Sequence, residues 1–169
     1  MNSIEYIQRE IGTVRVYIDA VLRGTTDGQL NWNPPGTTNS IKATLLHLIA
    51  SEDSYVQHIL QGKTRLWEAE NWGAKIGLAT VPGRSAGWEE IKGVHLTLAP
   101  IMDYLRAVRA ETDAYLAALT PEELDRPVEF MGRQQLASDP LIMLVVHSVG
   151  HAGEIAALKG MQGVKGLPF

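Results

Sequence analysis

The chain has no cysteine. That excludes disulfides, thiolate nucleophiles and cysteine-ligated zinc or iron–sulfur centres, so any metal must be held by His, Asp, Glu or backbone oxygen. It also lacks a cationic block. Fifteen Lys and Arg stand against nineteen Asp and Glu, a formal net charge of −4, which argues against nucleic acid or an anionic membrane as partner. No uninterrupted apolar run approaches the roughly 18 residues of a membrane span. The opening stretch, MNSIEYIQREIG, carries Glu5 and Glu10 where a signal peptide would have its apolar centre. Cytoplasmic residence is the expectation. There is no Gly-x-Ser-x-Gly elbow, Walker loop or dinucleotide fingerprint. The four tryptophans are scattered and form no stripe for stacking bases.

What is present is an ordinary globular composition. At 169 residues, with 45% hydrophobic and 20% charged, the chain is one domain with room for a core. Ile4, Ile7, Ile11, Val14, Ile18 and Val21 recur at helical steps, predicting an amphipathic helix from residue 3 to 22 with Ser3 as its cap and Gly24 beyond its end. Residues 25–39 hold Pro34-Pro35-Gly36 and read as loop, with Leu30 and Trp32 pinned against the bundle. Asn39 or Ser40 caps a second helix that stops before Gly62. Its apolar face carries Ile41, Leu45, Leu48 and Ile49, and a polar stripe runs Thr44, His47, Ser51, Tyr55, His58. Glu52 and Asp53 fall elsewhere on the wheel and read as solvated.

Residues 62–87 form a long irregular stretch with Trp67 and Trp72, a length that implies a task such as covering a pocket. A third helix is expected from residue 86 or 88 to residue 119, kinked at Pro100, with His95 near its buried side. Thr120-Pro121 opens a short turn, and residues 125–137 are extended or loop, with a hairpin-like excursion around Gly132. Ser138 or Asp139 starts a fourth helix that ends near Gly160. Four helical segments with one long connection describe an all-α four-helix bundle. The long crossover between the second and third helices makes the order up-down-down-up.

His147 and His151 sit four residues apart on the last helix, which stacks two imidazoles on one face. His47 is the candidate for a third nitrogen and His95 the runner-up. His58 lies roughly 16 Å along the helix from His47, too far to share an ion, and reads as surface or pocket rim. Three imidazoles suit a divalent transition metal and leave a coordination position open. A His-x-x-x-His pair alone is also what two satisfied core histidines look like. Gly150 and Gly153 cost about 1 kcal/mol each in a helix interior, and the close approach of another helix or a ligand would explain them. Glu154 shares the face of the pair. It fits three roles: accepting an N–H from a ligand, binding the metal, or acting as a catalytic base. A zinc-protease motif is excluded because Ser148, not Glu, follows His147.

Two stretches carry a family likeness. Leu30-x-Trp32-x-Pro34-Pro35-Gly36-Thr37-Thr38-Asn39-Ser40-Ile41, running on to Leu46-His47-Leu48, resembles the DinB/YfiT-like superfamily. So does His147-x-x-x-His151-Ala152-Gly153-Glu154-Ile155 with the tail Gly163-Val164-Lys165-Gly166-Leu167-Pro168-Phe169. The resemblance implies an up-down-down-up four-helix bundle in which His47, His147 and His151 bind a divalent metal, commonly zinc or nickel. It also implies homodimers. Some members are thiol-dependent S-transferases or isomerases using mycothiol, bacillithiol or glutathione. A metal-dependent enzyme acting on a small molecule, by thiol transfer or by hydrolysis, is therefore the first functional expectation. A non-catalytic, stress-linked binding or dimerisation bundle is the alternative. Arg84 and Arg133, in loops, are the candidates for receiving a carboxylate.

Overall fold

The computed structural model describes residues 1–83 and 86–167. The chain is mostly helical. Four long helical segments, α1 (Ser3–Leu22), α3 (Ile41–Asp53), α6 (Leu98–Ala118) and α8 (Ser138–Met161), enclose the core. Short helices lie between them: α2 (Asp27–Asn31), α4 (Leu66–Ala69), α5 (Trp72–Ile76) and α7 (Pro121–Leu124). The cap of α1 is Asn2, not Ser3. The Asn2 side chain accepts from the Glu5 amide at 2.8 Å and Glu5 accepts from the Asn2 amide at 3.0 Å, so two orphan donors are satisfied reciprocally. At the other end, Lys159 from α8 is buried and donates to the carbonyls of Val21 and Arg23 at 2.8 and 3.0 Å. A cation there meets the negative end of the α1 dipole and ties the C-terminal ends of α1 and α8 together.

The second helix departs from its expected polarity. Glu52 and Asp53 are buried, not solvated. Asp53 is fully enclosed and accepts from the Leu66 and Trp67 amides at 2.9 and 3.0 Å and from the Tyr104 hydroxyl at 2.7 Å. Glu52 accepts from Thr112 at 2.8 Å and from Arg15 at 3.3 Å. The reason is that α3 is central. It packs on α2, α4, α6 and α8, and eleven of its thirteen residues are buried, so it has no solvent face to receive charge. From Ser54 to Leu60 it continues as π-helix, a widened turn that often marks a functional site.

The expected third helix is shorter than its pattern. Residues 90–93 make one 3₁₀ turn, residues 94–97 are extended, and α6 starts only at Leu98. Pro100 therefore sits in the first turn, where its missing N–H has no partner to lose, and no interior kink arises. The N-terminus of α6 is anchored from α2: Asp27 accepts from the Leu98 amide at 2.9 Å, and Asn31 brackets Leu96 with bonds of 2.7 and 2.9 Å. His95 lies in the extended segment, is exposed, and does not join His47, His147 and His151 in their cluster.

Residues 127–136 do form a hairpin, with β1 (Pro127–Phe130) antiparallel to β2 (Arg133–Leu136) and Phe130 opposite Arg133. Its two-residue turn is Met131-Gly132, with φ of 53° and 78°. Both residues of such a turn need positive φ, which glycine accepts and methionine resists at about 1–2 kcal/mol.

The last helix departs from expectation at Gly150 and Gly153, which face outward. By length and composition α8 is apolar enough to cross a membrane, although no uninterrupted apolar run in the sequence announces it. One face is buried through Leu141, Leu144, Ser148, Ala152, Ile155 and Leu158. On the opposite face Ile142, Val146 and Val149 are 54%, 61% and 51% exposed. Gly150 and Gly153 lie on that outer face and a methyl group added to either would meet nothing within 4 Å. Neither glycine makes room for a neighbouring helix or for the histidines within this chain.

Candidate metal centre

Three histidines converge where α3 meets α8. The Nε2 atoms of His147 and His47 are 3.1 Å apart, and those of His151 and His147 are 3.0 Å apart. One ligand atom from each of the three falls within 4.8 Å of the others. The helical step of four residues brings His147 and His151 together with ring centroids 4.2 Å apart, and the packing of α3 on α8 delivers His47 to both.

The outer nitrogens fix the tautomers. His47 Nδ1–H donates to the Pro82 carbonyl at 3.2 Å, and His151 Nδ1–H donates to the Glu154 carboxylate at 2.6 Å. In the neutral form each of these rings then turns a bare Nε2 lone pair inward. His147 Nε2 lies between them and has at most one proton to give, so at least one inward lone pair is left without a donor. A divalent cation satisfies all three at once. The donor set, three imidazoles, fits zinc, nickel or a related borderline ion. His147 Nδ1 is buried without a hydrogen-bond partner among the described residues.

The electrostatics agree with neutral ligands. His147 is pushed down to about 3, first by burial and then by the neighbouring histidines. Burial is also the largest influence on His47, whose pKa lies below the usual histidine value. Neither ring needs to shed a proton at neutral pH before it can ligate.

The loop around Pro82 is shaped to reach His47. The Gly83 amide donates to the Ala86 carbonyl at 2.9 Å, and Trp88 Nε1 donates to the Gly83 carbonyl at 2.6 Å. Gly87, at φ 88°, lets the backbone close: a Cβ there would lie 2.8–2.9 Å from Val81 and Pro82 backbone atoms. The result sets the Trp88 ring 4.9 Å from that of His47. Within the long connection Trp67, Val81 and Pro82 form part of the cavity wall, and Trp67 and Trp72 are buried.

His47 and His147 open onto a cavity of about 640 Å³. Its polar lining includes Ser51, Ser54, Tyr55, Thr80, Arg65 and Glu68, and its apolar lining includes Trp67, Val81, Met131 and Met143. Glu154 does not line it. It stands behind His151, 59% exposed, on a different depression bordered by Thr37, Thr38 and Asn39. His58 is exposed and borders an adjoining depression, in keeping with a rim position. Arg133 is exposed on β2 and does not line the cavity, and Arg84 lies outside the described residues. Sequence reasoning missed Arg65, Met131 and Met143. Arg65 sits in an aperiodic loop and Met131 in a turn, where no spacing rule points inward.

A solved structure described as a conserved protein from Enterococcus faecalis superposes with a TM-score of 0.79 over 94% of this chain and 96% of that one, at 20% identity. That likeness concerns the fold. No curated protein matches the chain. A family model of the DinB superfamily matches residues 10–155, a span that contains His47, His147, His151 and the loop between them, and the chain belongs to that superfamily.

Proposed function

We propose that this protein is a cytoplasmic, metal-dependent enzyme acting on a small molecule, with His47, His147 and His151 as metal ligands and thiol transfer as the reaction. The observation that carries the reading is the meeting of three Nε2 atoms, two of them from His47 and His147, which line a cavity. Zinc or nickel held there supplies an open coordination position that lowers the pKa of a thiol or of water. The chain's own groups do the rest. Pro82 and Glu154 hold two of the rings in the inward tautomer. Trp67, Val81 and Met143 exclude water, and Ser51, Ser54 and Thr80 offer hydroxyls to a bound molecule. The sulfur must come from a low-molecular-weight thiol, because the chain has no cysteine. Glu154, placed behind His151, is better suited to orienting that ring than to acting as a base in the cavity. The up-down-down-up order belongs to the same reading. Its support is Lys159, which ties the C-terminal ends of α1 and α8 together.

Metal analysis tests the site. The purified protein is expected to hold about one divalent ion per chain, and His47→Ala and His147→Ala each to lose most of it. Unchanged metal content in both variants would sink the assignment. Bacillithiol, mycothiol and glutathione, each tried with several electrophiles and with added zinc or nickel, test the reaction. Inactivity throughout would leave thiol transfer without support.

The alternative, a non-catalytic binding or dimerisation bundle, shares one observation with the enzyme reading. Ile142, Val146 and Val149 form an exposed apolar stripe along α8, beside the small Gly150 and Gly153. A homodimer would cover that stripe and is compatible with either function. Sedimentation equilibrium is expected to show a dimer that Val146→Asp converts to monomer. A monomeric parent protein at tens of micromolar would remove the dimer from both readings.

A further inference from the structure

The cavity at the histidines continues into a second depression, and its charge is the reverse of the chain's. Ser54, Arg65 and Glu68 border both spaces, whereas His47 and His147 border only the first. The second adds Lys63 and His58. Two fixed cations therefore face one carboxylate in a protein whose net charge is −4. Lys63 makes no ion pair among the described residues.

Arg65 is built to stay where it is. Its Nε and one terminal nitrogen are gripped by the two Glu68 oxygens. Its backbone leads into Leu66 and Trp67, whose amides are held by the buried Asp53 carboxylate. A guanidinium has five N–H donors. Two are used on Glu68, and three remain for a ligand on a side chain that is already oriented and only 36% exposed.

We propose that the small molecule taken by this site is an anion with an apolar body, whose carboxylate or phosphate is received by Arg65 at the junction of the two depressions while its reactive end lies at the histidines. The apolar middle is matched by Trp67, Val81 and Met143. Arg65 is then a specificity-determining residue, distinct from the metal ligands. The inference rests on the small-molecule reading above, but not on the presence of a metal.

The test uses the full chain, metal-loaded and metal-stripped, with three probes of one chain length: octanoate, octyl phosphate and octylamine. Binding is followed by calorimetry and by tryptophan fluorescence. The two anions are expected to bind at least roughly tenfold more tightly than the amine, the range of a charge-assisted hydrogen bond. Arg65→Gln should erase that preference at unchanged metal content and unchanged thermal stability, and Arg65→Lys should restore part of it. The ratio of octanoate to octyl phosphate binding tells which anion the site prefers. Equal binding of the amine, or an Arg65→Gln variant that still prefers anions, overturns the proposal. So does anion binding that vanishes when metal is stripped, since the acid would then sit on the ion. Metal content itself reports separately on the histidines, so the two readings fail in different measurements.

Discussion

Asp53→Ala is expected to be the most destabilising single substitution in the chain, by about 3 kcal/mol in urea unfolding at neutral pH. The carboxylate is fully buried and satisfies two backbone amides and the Tyr104 hydroxyl. Removing it orphans three buried donors, each worth roughly 1–3 kcal/mol when left unpaired. The loss should still fall below their sum. Burial raises the pKa of Asp53, and its three donors only partly counter that, so the ionised group carries a desolvation cost that disappears with the side chain. Tyr104→Phe removes one donor cleanly and should cost about 1 kcal/mol. In the double variant most of that cost should vanish, because the hydroxyl has already lost its acceptor. A loss under about 1 kcal/mol for Asp53→Ala would show that water replaces the carboxylate and that the tie is not structural. The effect should also reach the site. The Leu66 and Trp67 amides hold the wall that carries Trp67 and Arg65, so anion binding should weaken together with stability.

What the sequence discloses follows from how each element is exposed. α1 has one buried and one wet side, and its apolar spacing was sufficient. The histidine pair on α8 was legible because a four-residue step has only one geometric meaning on a helix. His47 was legible because small hydroxyls at Thr44 and Ser51 mark the same stripe. α3 misled because it is covered on nearly every side. Glu52 and Asp53 look like a solvated pair in the sequence, and only the arrival of Arg15, Thr112, Tyr104 and the residue 66–67 amides makes them interior groups. The third helix misled because apolar residues at 91 and 94 run in helical step with Leu98 and Ile101 while belonging to a 3₁₀ turn and an extended segment. Gly150 and Gly153 suggested crowding and instead face outward. Arg65 carries no periodic signal, and its place at the cavity depends on a contact thirteen residues away in sequence, from Asp53 to Leu66.

Truncating Glu154 is the second substitution with a large expected effect, and it separates two roles for that residue. Its carboxylate accepts the His151 Nδ1 proton at 2.6 Å, which fixes the ring orientation and makes Nε2 a better donor to a metal. Loss of such a partner typically weakens metal affinity by roughly 10–100-fold. Glu154 is 59% exposed, so water can replace part of the bond, and Glu154→Ala should fall near the lower end, about tenfold. Glu154→Gln keeps an oxygen that can accept from Nδ1 but loses the charge, so its loss should be smaller. Competition with a chromogenic chelator measures both. The positioning role predicts weaker metal binding in the order alanine, glutamine, parent, with activity recovered by excess metal. A catalytic base would give the opposite pattern, with parent-like affinity in both variants and activity that no amount of metal restores. The geometry favours the first outcome, because the carboxylate stands on the outer side of His151 and lines a depression other than the one into which His47 and His147 open.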